Sequence, residues 1–311
     1  MAVRLRWTLA GAGLTAAALT AVVALTAGGR TVTTAAVTEP PAPAPSSSSP
    51  PPSTSESPAT APEVPLPDPA EVAEEVTDAV SAASKGTDVG LVVLDRKTGA
   101  TLASTDADTP YYTASVVKLL IALDSLYDNG VWQVPADNDE DDLTDMISGS
   151  NDAIASQLWE EDGGTTIVGR MADLMGLDHT VAPTDPGQWG MTKMSPDDVV
   201  TTYQYLEDTV PDDTAQPLLT AMAEARQPAD DGYPQYFGIP DGLPGSSWQI
   251  KQGWMILRSA LVLNTTGVVD SRYVVVLLTQ QPAATSSAKG RAAVTAGVKA
   301  LAPTLAAATA D

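Results

Sequence analysis

The run Pro110-Tyr-Tyr-Thr-Ala-Ser115-Val-Val-Lys118-Leu-Leu-Ile-Ala-Leu-Asp-Ser-Leu-Tyr127 decides how this chain is read. Thr113 is placed to cap a helix that ends near Asn129-Gly130. Ser115 then falls in the first turn, where backbone N–H groups lack intrahelical acceptors. Those donors, with the positive end of the helix dipole, can hold an oxyanion beside the hydroxyl. Lys118 lies three residues on, on the same face. Val116, Val117, Leu119, Leu120 and Ile121 make the helix apolar nearly all round, which predicts burial. A buried lysine is costly unless paired or deprotonated, and desolvation moves its pKa towards that of a general base for serine. A capping serine and a lysine snorkelling to the surface would leave the same letters. Ser286-Ser287-Ala288-Lys289 repeats the spacing at the polar entry to the last helix, where no chemistry is expected.

Two further stretches follow in order. Met146-Ile-Ser-Gly-Ser150-Asn-Asp152-Ala-Ile-Ala-Ser-Gln-Leu158-Trp159 sets Ser150 before an apolar helix, a position that capping alone would also explain. Trp248-Gln-Ile-Lys251-Gln252-Gly253-Trp254 reads as a strand. Alternation puts Gln249, Lys251 and Gly253 on one face, and Trp248, Ile250 and Trp254 on the other. A glycine within a strand lets another backbone come close, and Lys251 supplies a cation for an acidic substrate group.

Together these stretches resemble the motifs of class A β-lactamases and penicillin-binding serine hydrolases. Ser115-Val-Val-Lys118 is similar to the family's Ser-x-x-Lys, Ser150-Asn151-Asp152 to its Ser-Asp-Asn, and Lys251-Gln252-Gly253 to its Lys-Thr-Gly. Lys97-Thr98-Gly99 matches the last motif letter for letter, yet it precedes the serine and reads as a hairpin turn. The resemblance covers approximately residues 70–305. It implies an acyl-enzyme at Ser115, with Lys118 and Ser150 moving protons. It places Asp152, Lys251, Gln252, Gly253 and Trp254 along the substrate, and makes an oxyanion hole from the N–H groups of Ser115 and Trp254. The implied substrate is a β-lactam or a cell-wall peptide ending in D-Ala-D-Ala, with no cofactor and no metal.

The family pattern also breaks. Class A enzymes hydrolyse the acyl-enzyme with a loop glutamate, and none occurs from Asp162 through Leu206. The corresponding segment, Thr184 to Thr192, is short and offers only Asp185 or Gln188 to position a water. The step from Ser115 to Ser150 is shorter than in typical class A enzymes. Asp152 replaces an asparagine and sets a carboxylate where it would keep Lys118 protonated. Gln252 removes a hydroxyl that helps hold a substrate carboxylate. Efficient β-lactamase turnover is therefore not expected. Two readings stand: a serine acyl hydrolase with slow deacylation, or a degenerate envelope domain that binds peptidoglycan or a protein partner.

Composition bounds the rest. The chain has 39 acidic and 16 basic residues and a formal charge of −23, which disfavours nucleic acid as a partner. It has no cysteine, so disulfides, thiol chemistry and cysteine lipidation are excluded. His179 is the single histidine and is expected in a polar loop, which argues against a Ser-His-Asp triad. Arg4 and Arg6 precede an uncharged stretch from Trp7 through Gly29. Residues 1–30 thus read as a signal peptide or N-terminal membrane anchor, with the remainder exported. Residues 31–68 are rich in Pro, Ser, Ala and Thr and read as an extended disordered linker. Residues 69–311 are expected to form one α+β domain, an antiparallel five-stranded sheet flanked by helices, with an all-helical subdomain over roughly 113–225. Three strand runs are expected over 248–255, 260–269 and 273–280, with a bend at Asn264-Thr265-Thr266-Gly267. The acidic run Asp137–Asp142 reads as a solvated loop without calcium-loop spacing.

Overall fold

The computed structural model describes residues 67–309. The expected export segment and nearly all of the expected linker lie outside the described residues. The domain opens with α1 (Pro69–Ala83), whose first turn holds Pro69 and whose cap Asp68 accepts from the Ala70 N–H at 2.8 Å. β1 (Asp88–Asp95) and β2 (Ala100–Thr105) form a hairpin closed over Lys97-Thr98-Gly99, with Gly99 at φ 74°. The short strand β3 (Tyr111–Tyr112) leads into a 3-10 turn, Ala114–Val117, and then α2 (Lys118–Ser125). A tight hairpin, β4 (Tyr127–Asp128) with β5 (Val131–Trp132), follows. The helical block is α3 (Asp137–Ser148), α4 (Asp152–Glu161), α5 (Thr165–Met175), α6 (Pro196–Asp208) and α7 (Asp212–Ala223), interrupted by β6 (Lys193–Met194), which pairs with β3. After the one-turn α8 (Ile239–Gly242) come β7 (Trp248–Ile250), β8 (Gly253–Ile256), β9 (Ala260–Val269) and β10 (Tyr273–Pro282), then α9 (Ser287–Ala300) and α10 (Ala302–Thr309).

The main sheet is antiparallel in the order β2-β1-β10-β9, with β7 and β8 end to end along β9 in one register. Six strands therefore occupy five rows, which gives the expected α+β architecture. Period-two alternation divides the core. Val92, Leu94, Val274, Val276 and Leu278 face the helical block, whereas Leu91, Val93, Val275 and Leu277 face α1 and α9 through Val76, Val80, Val294 and Val298. α2 runs through the first of these cores and is buried along its length from Lys118 to Asp124.

Several local expectations are corrected. Thr113 does not cap a helix: its Oγ1 donates to the Thr192 carbonyl at 2.9 Å, which continues the β3–β6 pairing. The helix stops at Ser125, because Asn129 (φ 50°) and Gly130 (φ 84°) make the two-residue hairpin turn such a dipeptide favours. Asn264 does not bend its strand, since β9 is continuous to Val269. The acidic run is the exposed first half of α3, where carboxylates meet the positive end of the helix dipole. His179 does lie in an exposed loop.

At the far end of β1, Asp95 is buried and receives two bonds from Arg272, at 2.9 Å and 2.7 Å. The guanidinium holds the Asp95 carboxyl below its ordinary value. Asp95→Asn is expected to cost about 2–3 kcal/mol at neutral pH by urea unfolding. Because the folded pKa is depressed, the wild-type advantage exists above the unfolded carboxylate pKa and is lost as pH falls through the folded one. The two proteins should therefore converge in strong acid.

Candidate active site

The Ser115 turn is held from beneath by the sheet. Asn264 is fully buried on β9, and its Nδ2 donates to the carbonyls of Tyr112 (2.8 Å) and Thr113 (3.1 Å). Its Oδ1 accepts from the Thr279 N–H at 3.0 Å, replacing a rung of the β9–β10 ladder. Gly253 opens β8 directly against this turn, and a Cβ there would run into the Thr113 carbonyl oxygen. The close approach explains glycine at this position. Ala114 adopts φ 46°, a strained value for a residue with a Cβ, immediately before the serine. Ser115 itself is 5 % exposed, and among the described residues its hydroxyl has no hydrogen-bond partner. It lines a cleft of about 230 Å³ with Ala114, Asp152, Trp189, Gly190, Trp254 and others.

Ser150 is set by a division of labour. Asn151, not Ser150, caps α4, accepting from the N–H groups of Ala153 (2.9 Å) and Ile154 (3.1 Å). Ser150 therefore sits just outside the helix at φ 56° with its hydroxyl released from capping. That hydroxyl lies 3.2 Å from Lys118 Nζ and 2.9 Å from Lys251 Nζ. Both lysines are buried. Lys118 also donates to the Ser150 carbonyl (2.6 Å) and to Asp152 Oδ1 (2.6 Å), so three acceptors surround it. The Trp189 ring covers its Nζ at 4.9 Å.

The two amines share one small dry volume, and burial drives both pKa values down. For Lys118, burial is the largest cause and the Asp152 carboxylate opposes it. For Lys251, burial leads again and the Lys118 charge adds to it, pushing the group well below the ordinary lysine range. The acceptor sets differ: Lys118 has a carboxylate and two further acceptors, which favour its charged form, whereas Lys251 has a hydroxyl and the Gln252 carbonyl at 3.4 Å and no carboxylate.

The structure brings Ser115, Lys118, Ser150, Asp152, Lys251, Gly253 and Trp254 to one site. Gln252 is close in sequence but turned away: its Nε2 donates to the carbonyls of Gln235 (3.1 Å) and Phe237 (2.7 Å). Its side chain thus braces the 235–237 segment and does not reach the cleft. Trp254 lines the cleft, stacks on Tyr233 at 4.8 Å and donates from Nε1 to Asp231 at 3.0 Å. Gln188 lines the cleft as well, whereas Asp185 faces the neighbouring depression. A larger groove of about 560 Å³ beside α9 contains none of these residues.

Sequence reasoning missed the segment that clamps the Ser150 turn. The Arg226 N–H and Gln235 Nε2 both donate to the Ser148 carbonyl, at 2.9 Å each, and the Asp230 N–H donates to Gly149 O at 2.9 Å. The Arg226 guanidinium fills the space a Cβ at Gly149 would need. Ser156 and Trp159 on α4 hold the 186–189 loop, accepting from Trp189 Nε1 (3.1 Å) and donating to the Pro186 carbonyl (2.7 Å) respectively. These contacts join segments remote in sequence and carry no motif. Only the placement of Gly149 before Ser150 hints at a close approach.

Comparison with known proteins agrees with the geometry. The class A β-lactamase of Bacteroides cellulosilyticus superposes with a TM-score of 0.60 at 15 % identity, over 75 % of this chain and 98 % of that one. PBP-A does so with 0.60 at 18 %, over 78 % and 99 %, and the β-lactamase of Streptomyces albus G with 0.59 at 19 %, over 76 % and 99 %. The chain thus has the fold of the class A β-lactamases and penicillin-binding proteins. No family model matches it. It is 35 % identical over 254 residues, 79 % of each chain, to LppW of Mycobacterium tuberculosis and of Mycobacterium bovis, a protein with a provisional lipoprotein designation. The chain belongs to the LppW family.

Two outcomes follow from the packing. Gly253→Ala should force β8 away from the Ala114 turn and lower stability by about 1–3 kcal/mol, read by thermal melting. Lys251→Met should raise stability at neutral pH. An unfolded lysine holds its proton up to about pH 10.4, whereas the folded Lys251 does not, so the wild-type domain loses stability as pH falls below that value towards the folded pKa. The gain from methionine should accordingly shrink as pH rises towards 11, measured by urea unfolding across pH.

Proposed function

We propose that this chain is an exported serine acyl hydrolase of the penicillin-binding type that forms an acyl-enzyme at Ser115 and releases it slowly. The observation that carries the reading is the Ser115 hydroxyl, without a hydrogen-bond partner among the described residues, in a cleft it shares with Asp152, which bonds the hydrogen-bonded group of Lys118, Ser150 and Lys251. In acylation, Ser115 Oγ bonds to the carbonyl carbon of a lactam or peptide and the C–N bond breaks. The hydroxyl proton enters the network, and the leaving nitrogen takes one from it. Backbone N–H groups of Ser115 and Trp254 stabilise the oxyanion. Water then cleaves the ester. No glutamate occurs from 162 to 206 to supply the loop base that the resemblance assigns to this second step, which supports slow deacylation.

The uncharged Trp7–Gly29 stretch behind Arg4 and Arg6 supports export. The lipoprotein designation of the LppW relatives fits an extracytoplasmic location. The 311 residues contain no cysteine, so a lipid thioether within them is not available, and the N-terminal segment is the anchor if the protein is retained.

One observation favours a second reading, binding of an envelope peptide without turnover. The 2.6 Å Lys118–Asp152 pair stabilises the protonated amine and opposes its use as a base.

Incubation with a labelled penicillin or a neutral activated ester, followed by intact-mass measurement, separates the two. A long-lived adduct that is absent from Ser115→Ala is expected. No adduct, together with cell-wall peptide binding that survives Ser115→Ala, would establish the second reading.

A further inference from the structure

Three features of the cleft bear on which molecules it accepts. The strand motif that would present a cation to a substrate carboxylate does not do so, because Lys251 is 1 % exposed and its Nζ is spent on Ser150. Gln252, the neighbouring polar group, is tied to backbone carbonyls behind the strand. Among the residues lining the cleft, the single charged one is Asp152, with its side chain 67 % exposed.

The surrounding charges do not reverse this sign. Lys118 is fully buried and already paired with Asp152. Arg226 is held between Asp145 (3.2 Å) and Asp230 (2.9 Å). Asp231 bonds the indole of Trp254, which forms one wall. Arg291 lies on the Tyr233 ring at 5.2 Å and lines the separate groove beside α9. Lys193 sits over Tyr112 at 4.5 Å, in the depression that adjoins Gln188. The Ser115 hydroxyl therefore opens onto a field set by carboxylates, on a chain of formal charge −23.

We propose that the Ser115 site selects acyl donors whose leaving group is uncharged or cationic and disfavours those that carry a carboxylate there. The inference rests on acylation at Ser115 and names the substrate class of that reaction. An amide or an ammonium beside Asp152 meets a hydrogen-bond acceptor or a counter-charge, whereas a carboxylate meets repulsion with no cationic side chain among the residues lining the cleft.

The test uses thioesters of one acyl group with mercaptoacetate, mercaptoacetamide or cysteamine as the leaving thiol. Thiol release and the Ser115 adduct are followed, and each rate is divided by that thioester's alkaline hydrolysis rate. The corrected kcat/KM for the carboxamide and the amine should exceed that for the carboxylate by about tenfold or more, a gap that salt narrows. Asp152→Asn should reduce the ratio, and because the readout is a ratio, any change in overall rate cancels. A carboxylate thioester that reacts as fast as the others overturns the charge selection and leaves Ser115 acylation standing. No adduct with any of the thioesters from the folded protein removes both.

Discussion

The site depends on confining two lysine amines in a volume that water does not reach, with one serine hydroxyl between them. Two charges there are costly, since each group has lost its hydration and each raises the cost of the other. The surroundings are asymmetric. Asp152 reaches in from the surface to pair with Lys118, whereas burial and the Lys118 charge push Lys251 well below the ordinary lysine range. The Ser150 hydroxyl bridges the two amines.

Much of the surrounding structure serves that confinement. Asn151 takes over the capping of α4, which leaves the Ser150 hydroxyl available. The 226–237 segment fastens the Ser148–Ser150 turn through backbone carbonyls, and Asn264 fastens the Ser115 turn in the same manner from the sheet side. Positive φ at Ala114 and Ser150 places a strained residue in each turn. Such strain persists only where neighbours over-determine the backbone, and both turns are held in that way.

Three features of the site bear on its electrostatics. The carboxylate of Asp152, the aromatic cover of Trp189 over Lys118 and the withdrawn Gln252 all act on the same volume. The first stabilises charge on Lys118, the second fills space beside it, and the third leaves the strand edge without a polar side chain for a ligand anion. The fold shared with structures under 20 % identical is a scaffold only, and the chemistry of the cleft rests on its own residues.

The sequence by itself determined the α+β architecture, because short β-branched and apolar runs over 89–94 and 273–280 and a mostly helical middle over 113–225 reflect local preferences that neighbouring residues impose. It also determined the candidate pair Ser115 and Lys118, since a helix that is apolar on every side leaves its lysine no route to solvent. The role of Asn151 as the cap and the direction of the Gln252 side chain were settled only by the folded structure. Each depends on a partner far along the chain or on competition between two adjacent residues for one position. The unequal surroundings of the two lysines were likewise beyond the sequence. They follow from which acceptors lie within 3 Å of each buried amine, a property of three segments meeting that no single segment encodes.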